Sequence, residues 1–189
     1  IYAQVAKAQY FTKIDLSKGY WQVPVKKEDR HKLAFSTPDA SYQWLVMPFG
    51  VQNAPSVFSR MMRKLLEPFT DMPIYNFMDD LLVATESWQE HMELLGAVIK
   101  RLQEAGLTAR PSKCQLGFST MDYLGHTLKR GNLAPDAAKI EQLKDAPQPT
   151  TKTEVRSFLG FAGYYRRHVP GFSTIALPLT DLTRKSAPS

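Results

Sequence analysis

A chain of 189 residues that is 43% hydrophobic and 22% charged carries enough apolar material for one sizeable core and a smaller appendage, which excludes a disordered tail. The formal charge of +6 favours a polyanionic partner, nucleic acid first among them. The single cysteine, Cys114, excludes an internal disulfide and a multi-cysteine zinc site, fits a reducing compartment, and is expected to be a small buried apolar residue. The longest apolar stretches, such as YQWLVMPFGV, fall short of the roughly 20 residues that span a bilayer. The N-terminus IYAQVAKAQYF lacks a signal-peptide layout and reads as the interior of a longer protein.

In chain order, QYFTKID has the pattern of a strand, and LAFSTP with YQWLVMPF predicts a hairpin around Pro38, Asp39 and Ala40. Asn53 is placed to cap a helix with Pro55 in its first turn, running to about Glu67 where Pro68 stops it. An apolar hairpin centred on Met78, Asp79 and Asp80 follows. Ser87 with Glu90 predicts a capping box, and Met92, Leu95, Ile99 and Leu102 form a core stripe at helical spacing that ends at Gly106. CQLGFS and MDYLGHTL read as short strands, and the character changes near Gly131 and Asn132. From Pro135 the pattern is helical, broken between Pro147 and Pro149, and restarted by a second capping box at Thr151 and Glu154. Val155, Phe158, Leu159 and Ala162 share one face of that helix, while Arg156, Arg166 and Arg167 supply charge. No internal repeat is visible.

The acids carry the chemistry. Asp15 closes one apolar run, and Asp79 with Asp80 sits in the tight connection of another, flanked by Ile74, Tyr75, Phe77 and Met78 before and Leu81, Leu82 and Val83 after. A lone Asp pair is usually a solvated turn or a cap. Adjacent carboxylates in apolar surroundings repel and resist ionisation, and bound divalent cations remove that cost. Between the two acidic segments MPFGVQNAPSVFSRMM supplies a glycine-containing turn that opens a helix, an order that suggests a template-directed polymerase.

With these elements placed, the chain resembles the reverse transcriptases of gypsy-type LTR retrotransposons and, more distantly, of retroviruses. FTKIDLSKGYWQVPV is similar to the family's first catalytic motif, MPFGVQNAPSVFSRMM to its template-and-nucleotide motif, and NFMDDLLVAT to its second catalytic motif. LTARPSKCQLG and MDYLGH follow in the family's order, and residues 153–185 resemble its thumb and the start of its connection. The resemblance implies an α+β fold: a polymerase palm, an antiparallel sheet backed by helices, with residual fingers at about 26–52 inside residues 1–132, and a thumb-like helical region at 133–189. It implies RNA-directed DNA synthesis with Mg2+, or Mn2+ in its place, two ions about 3.5–4 Å apart. The ligands would be Asp15, Asp79, the backbone at Leu16 and, as an accessory, Asp80. Backbone N–H groups from Leu16 to Tyr20 would cradle the triphosphate, with Lys18 and Gly19 in that turn and Tyr20 as a steric gate beneath the sugar.

By the same resemblance Phe49 and Gln52 would meet the incoming nucleotide, and Asn53, Pro55 and Met78 the template or primer. Lys113 would be a general acid toward pyrophosphate. Leu124 and Gly125 would grip the primer end, and Gly160 and Tyr164 would lie against the minor groove. The implied partners are an RNA or DNA template with a DNA primer, deoxynucleoside triphosphates, and the rest of a retroelement polyprotein including RNase H and integrase, without a membrane. The implied setting is intracellular, in a cytoplasmic element particle with nuclear entry. Only 14 residues precede Asp15, where the family normally has a substantial fingers region with basic residues, so the resemblance implies that most of the fingers are absent from these 189 residues. The competing expectation is a non-catalytic nucleic-acid-binding or protein-interaction module.

Overall fold

The computed structural model describes residue 5 and residues 7–184. Those residues divide into two units, the first running up to residue 121 and taking in 129–132, the second taking in 122–128 and the described residues from 133 onward. Residues 185–189, the end of the expected region of thumb and incipient connection, lie outside the described residues. Among the described residues no helix is long and apolar enough to cross a membrane.

The first unit is organised by a four-stranded sheet of β1 (Tyr10–Asp15), β4 (Ile74–Phe77), β5 (Asp80–Thr85) and β6 (Gln115–Phe118), in the order β4-β5-β1-β6. The β1, β4 and β5 pairings are antiparallel and unbroken, running from Tyr10↔Thr85 to Asp15↔Asp80 and from Ile74↔Val83 to Phe77↔Asp80. Side chains alternate across a strand. Ile14, Leu81 and Val83 therefore share one face, where they pack with Ala54, Phe58, Met62 and Leu65 of α1 (Ala54–Leu65) and Leu94, Leu95, Val98 and Leu102 of α2 (Trp88–Glu104). Phe58 and Met62 are fully buried, and each such side chain contributes about 1.5–3 kcal/mol by leaving water. The expected antiparallel sheet backed by helices is present.

Several local expectations are corrected. The hairpin is limited to β2 (Ala34–Ser36) and β3 (Ser41–Gln43), closed by Thr37 N–H donating to Ala40 O at 2.8 Å. Beyond Gln43 the chain leaves β2 and meets residues 23–25 instead, Val25 N–H donating to Leu45 O and Met47 N–H to Val23 O, both at 2.9 Å. Asn53 occupies the cap position of α1, but its side chain makes no capping bond, because its backbone is already right-handed helical. On α2 the buried face is His91, Leu94, Leu95, Val98 and Leu102, while Met92 and Ile99 are 50% and 47% exposed. The stripe is rotated because a histidine takes a core position. His91 is fully buried and hydrogen-bonds Thr12 Oγ1 (2.7 Å) and Thr85 Oγ1 (2.8 Å), so its polar atoms are satisfied. Ser87 accepts from Glu90 N–H at 3.2 Å, the N-cap half of the expected capping box. Cys114 is half-buried at the margin of the core, its thiol donating to Arg110 O.

A three-stranded sheet has the order β7 (Thr120–Tyr123), β8 (His126–Lys129), β9 (Asn132–Pro135). In the second unit α3 (Ala137–Lys144) begins at Asp136, whose carboxylate accepts from Ala138 N–H. α4 (Lys152–Tyr164) begins with the full reciprocal capping box of Thr151 and Glu154, and α5 (Phe172–Leu182) packs against it. Of the expected apolar face of α4, Val155 is buried and Phe158, Leu159 and Ala162 are half-buried.

Candidate active site

The register that builds the core also places the acids. Asp15 ends β1 directly opposite Asp80, the first residue of β5, and Leu16 N–H donates to Asp79 O at 2.9 Å. Because Ile14 and Leu81 are committed to the apolar face, Asp15 and Asp80 project from the other, together with Lys13 two residues earlier. The Lys13 ammonium lies 3.2 Å from the Asp80 carboxylate. Burial raises the Asp80 carboxyl above its ordinary range; Lys13 pulls it back, and Asp79 and Asp15 push it up again. The three acids thus share one end of the sheet, where the Asp80 carboxyl senses the other two.

The turn that presents Asp79 is under conformational load. Phe77 pairs with Asp80, leaving Met78 and Asp79 as a two-residue hairpin loop, and Met78 takes φ +55 where glycine is favoured. Such a backbone costs about 1–2 kcal/mol. Asn76 Nδ2 donates to Met78 O at 2.9 Å and holds the turn shut.

The segment after β1 lies against this hairpin. A Cβ added at Gly19 would stand 3.3 Å from Asp79 Cβ and 3.3 Å from the Phe58 ring, so glycine is what permits the approach. Of the N–H groups expected to form a cradle, those of Leu16 and Ser17 are already used, by Asp79 O and by Thr108 O at 2.9 Å. Of the expected cradle, that leaves the N–H groups of Lys18, Gly19 and Tyr20. Lys18 has φ +50 and its ammonium sits 4.7 Å from the centre of the Trp21 ring. The half-buried Tyr20 ring meets Phe58 edge-on at 5.7 Å and Phe49 at 5.5 Å, with Phe49 itself exposed. Gln52 and Asn53 are exposed and Pro55 is half-buried at the start of α1.

Lys113 is exposed, in the short turn Pro111–Lys113. The turn is anchored to the site through Arg110 N–H, which donates to Asp15 O at 2.8 Å, but the cation that engages a carboxylate is Lys13. Lys13 was signalled only by its i, i+2 spacing from Asp15. In the second unit Leu124 (φ +47) and Gly125 (φ +70) form a tight turn tied to the end of α4. Tyr164 Oη donates to Leu124 O at 2.6 Å and Tyr165 Oη to Gly125 O at 3.0 Å. Tyr164 is 51% exposed and so offers a ring face while its hydroxyl is engaged; Gly160, on the same helix, is exposed with open space beside it.

Among the described residues no three His, Cys, Asp or Glu side chains converge into a metal cage. Magnesium does not need one, since it is usually held by one or two carboxylates together with substrate phosphates. An oxygen-only donor set of Asp15 and Asp79, with Asp80 held by Lys13, fits that ion.

Known proteins share both sequence and geometry with this chain. A family model described as "Reverse transcriptase (RNA-dependent DNA polymerase)" matches residues 1–128. The retrovirus-related Pol polyprotein from transposon 297 of Drosophila melanogaster is 36% identical over 98% of this chain and 18% of its own length. The corresponding polyprotein from transposon gypsy is 32% identical over 97% of this chain and 18% of its own. The chain thus spans less than a fifth of these relatives. A foamy viral protease-reverse transcriptase in complex with RNA/DNA hybrid superposes with a TM-score of 0.80 and 28% identity, over 98% of this chain and 26% of that one. A dRH form of the same enzyme in complex with double-stranded DNA gives 0.84 and 30%, over 93% and 31%.

Proposed function

Because the chain belongs to the reverse transcriptase (RNA-dependent DNA polymerase) family, we propose that it carries the palm and thumb of an RNA-directed DNA polymerase from a gypsy-type LTR retrotransposon. One observation carries this reading: the Asp15↔Asp80 register and the Leu16–Asp79 bond collect three carboxylates at one sheet end, against the backbone of Gly19.

Asp15, Asp79 and the Leu16 backbone would hold Mg2+, or Mn2+ in its place, with Asp80 as the accessory that Lys13 restrains. The bound ions supply positive charge where a primer 3′-hydroxyl attacks and pyrophosphate leaves. The residues of the chain do the remaining work. N–H groups of Lys18, Gly19 and Tyr20 receive the triphosphate. The Tyr20 ring, braced by Phe58, excludes a ribose 2′-hydroxyl, and Phe49 and Gln52 face the nucleotide. Asn53, Pro55 and Met78 meet the template–primer, and exposed Lys113 protonates the departing pyrophosphate. In the second unit Leu124, Gly125, Gly160 and Tyr164 are the proposed primer–template contacts. The partners on this reading are an RNA or DNA template with a DNA primer, deoxynucleoside triphosphates, and the remaining domains of an intracellular element polyprotein.

The test is primer extension by the purified chain with and without Mg2+. Extension should require the metal, and Asp79→Asn should reduce it by about 10²–10³-fold or more while the fold survives. Extension that is unchanged in Asp79→Asn rejects the site. Salt-sensitive duplex binding with no extension at all would instead support the non-catalytic nucleic-acid-binding module.

A further inference from the structure

The side-chain amide of Gln22 bridges two segments beside the carboxylates. Nε2 donates to Ser17 O at 2.6 Å and to Thr108 O at 3.0 Å; Oε1 accepts from Thr108 N–H at 2.6 Å and from Thr108 Oγ1 at 3.2 Å. Only this orientation satisfies the partners, because a flipped amide would set its oxygen against two carbonyls and its NH2 against an N–H. The same seam is continued by Ser17 N–H to Thr108 O, by the Leu16↔Ala109 bridge and by Arg110 N–H to Asp15 O. Gln22 therefore does two things at once. It closes the turn from Ser17 to Gln22 upon itself, and it staples that turn to residues 108–110, which also hold Asp15.

The turn it closes contains Lys18, Gly19 and Tyr20, and Lys18 stands in the left-handed region at φ +50. A lysine adopts that backbone only where its surroundings over-determine it. The bond from Gln22 to Ser17 O, across the turn, is such a constraint. A donor array for phosphate works to the extent that its N–H groups are fixed before the ligand arrives.

We infer that Gln22 is a positioning residue for the incoming nucleotide: by pinning Ser17 to Thr108 it fixes the N–H groups of Lys18 to Tyr20 and the Tyr20 ring in the geometry that receives a deoxynucleoside triphosphate. The inference rests on the polymerase reading and adds to it a residue outside the acids and the steric gate. Gln22→Glu keeps the length of the side chain but turns a carboxylate oxygen on the carbonyls of Ser17 and Thr108. Gln22→Met keeps the volume and removes every bond.

Primer extension at saturating primer–template, with deoxynucleotide varied, is measured for the parent and both variants, together with hydrogen exchange of amides 17–22 in the absence of nucleotide. Both variants should raise the deoxynucleotide KM about tenfold, the scale of one or two lost hydrogen bonds, with a smaller change in kcat. Amides 17–22 should exchange faster, and ribonucleotide discrimination should weaken. Leu95→Ala, a core deletion on α2, should lower thermal stability yet leave KM at the parental value. An unmoved KM in Gln22→Glu, or an equal rise in Leu95→Ala, overturns the inference while leaving the polymerase reading intact. A parent that adds no nucleotide defeats the polymerase reading itself. Exchange at 17–22 that Gln22→Glu leaves unaltered defeats the pin whatever the activity.

Discussion

The first unit is built on apolar burial and the second on polar ties. In the first, two helices and a sheet face share a core in which Phe58, Met62, Leu81, Val83 and Val98 are sealed from water, and Asp15 and Asp80 stand on the reverse of the strands that form it. In the second, few side chains are buried, Val155, Tyr165 and Ala176 among them on and beside the helices. Tyrosine hydroxyls, a capping box and a histidine pair carry its local order. The difference fits the work proposed for each. Carboxylates that must hold their spacing are set on strands whose register a core enforces, whereas a primer–template surface needs exposed rings and tolerates looser support.

Phe58→Ala is the strongest way to break this comparison. Truncating a fully buried phenylalanine should destabilise the first unit by about 3–5 kcal/mol, read from the denaturant midpoint. Hydrogen-exchange protection in α4 should change little. Equal loss of protection in both units would show one cooperative body and end the distinction.

Gly19→Ala sharpens it. The new Cβ needs no unusual backbone angle but meets Asp79 Cβ and Phe58 at 3.3 Å, so these neighbours must shift by a few tenths of an ångström. The stability cost should be about 1 kcal/mol, the low end for overpacking. Extension should drop by about tenfold, since misplacement of 1 Å in an active site costs on the order of 100-fold. A variant with parental activity would show that the Asp79 hairpin is not held against Gly19 in catalysis.

Much of this was legible in the sequence because the acids terminate apolar runs, and the alternation that commits Ile14 and Leu81 to the core dictates where Asp15 and Asp80 point. The Met78–Asp79 loop was legible for the same reason, being the tight connection of an apolar hairpin. Features that depend on a partner distant in the chain were not. Gln22 sits in an aromatic stretch that says nothing of Thr108, 86 residues away. His91 reads as polar on a helical wheel, and only two threonine hydroxyls from β1 and β5 make it a core residue, which is why the predicted stripe settled on Met92 and Ile99. The resemblance alone points to Tyr164, and its bond to Leu124 O depends on how the 124–125 turn folds back on α4.

Tyr165→Phe probes the polar side of the comparison. It removes only the hydroxyl that donates to Gly125 O, and should cost about 1 kcal/mol, visible as faster exchange in residues 124–126 and 160–165. Protection in β1 and β5 should not move. An effect as large as that of Phe58→Ala would mean that the second unit too depends on a tightly closed interior.

The smallest expected effect is a dependence on pH that both units share for different reasons. Burial lowers the pKa of His91 below its ordinary 6.5, and partial loss of hydration, then the nearby His126, lowers that of His168. In the unfolded chain each imidazole takes up a proton near its ordinary value; in the folded chain it does so only at lower pH. Between those limits the unfolded state binds more protons, so stability falls as the solution is acidified. The contribution is complete above about pH 6.5 and is lost as pH drops through the folded values. His91 is gripped by hydroxyls on both nitrogens, so protonating it turns its accepting nitrogen into a donor and makes one threonine hydroxyl reverse its role inside the first unit's packing, whereas His168 is exposed and faces its histidine neighbour. Thermal melts between pH 7.5 and 5 should therefore slope downward, and His91→Gln should flatten the part that reports on β1 and α2, while His168→Gln flattens only the part that reports on α4 and α5. NMR titration of the ring protons gives the direct check. A His91 that titrates at or above its ordinary value would mean that the imidazole is open to water, and the rotated stripe of α2 would lose its explanation.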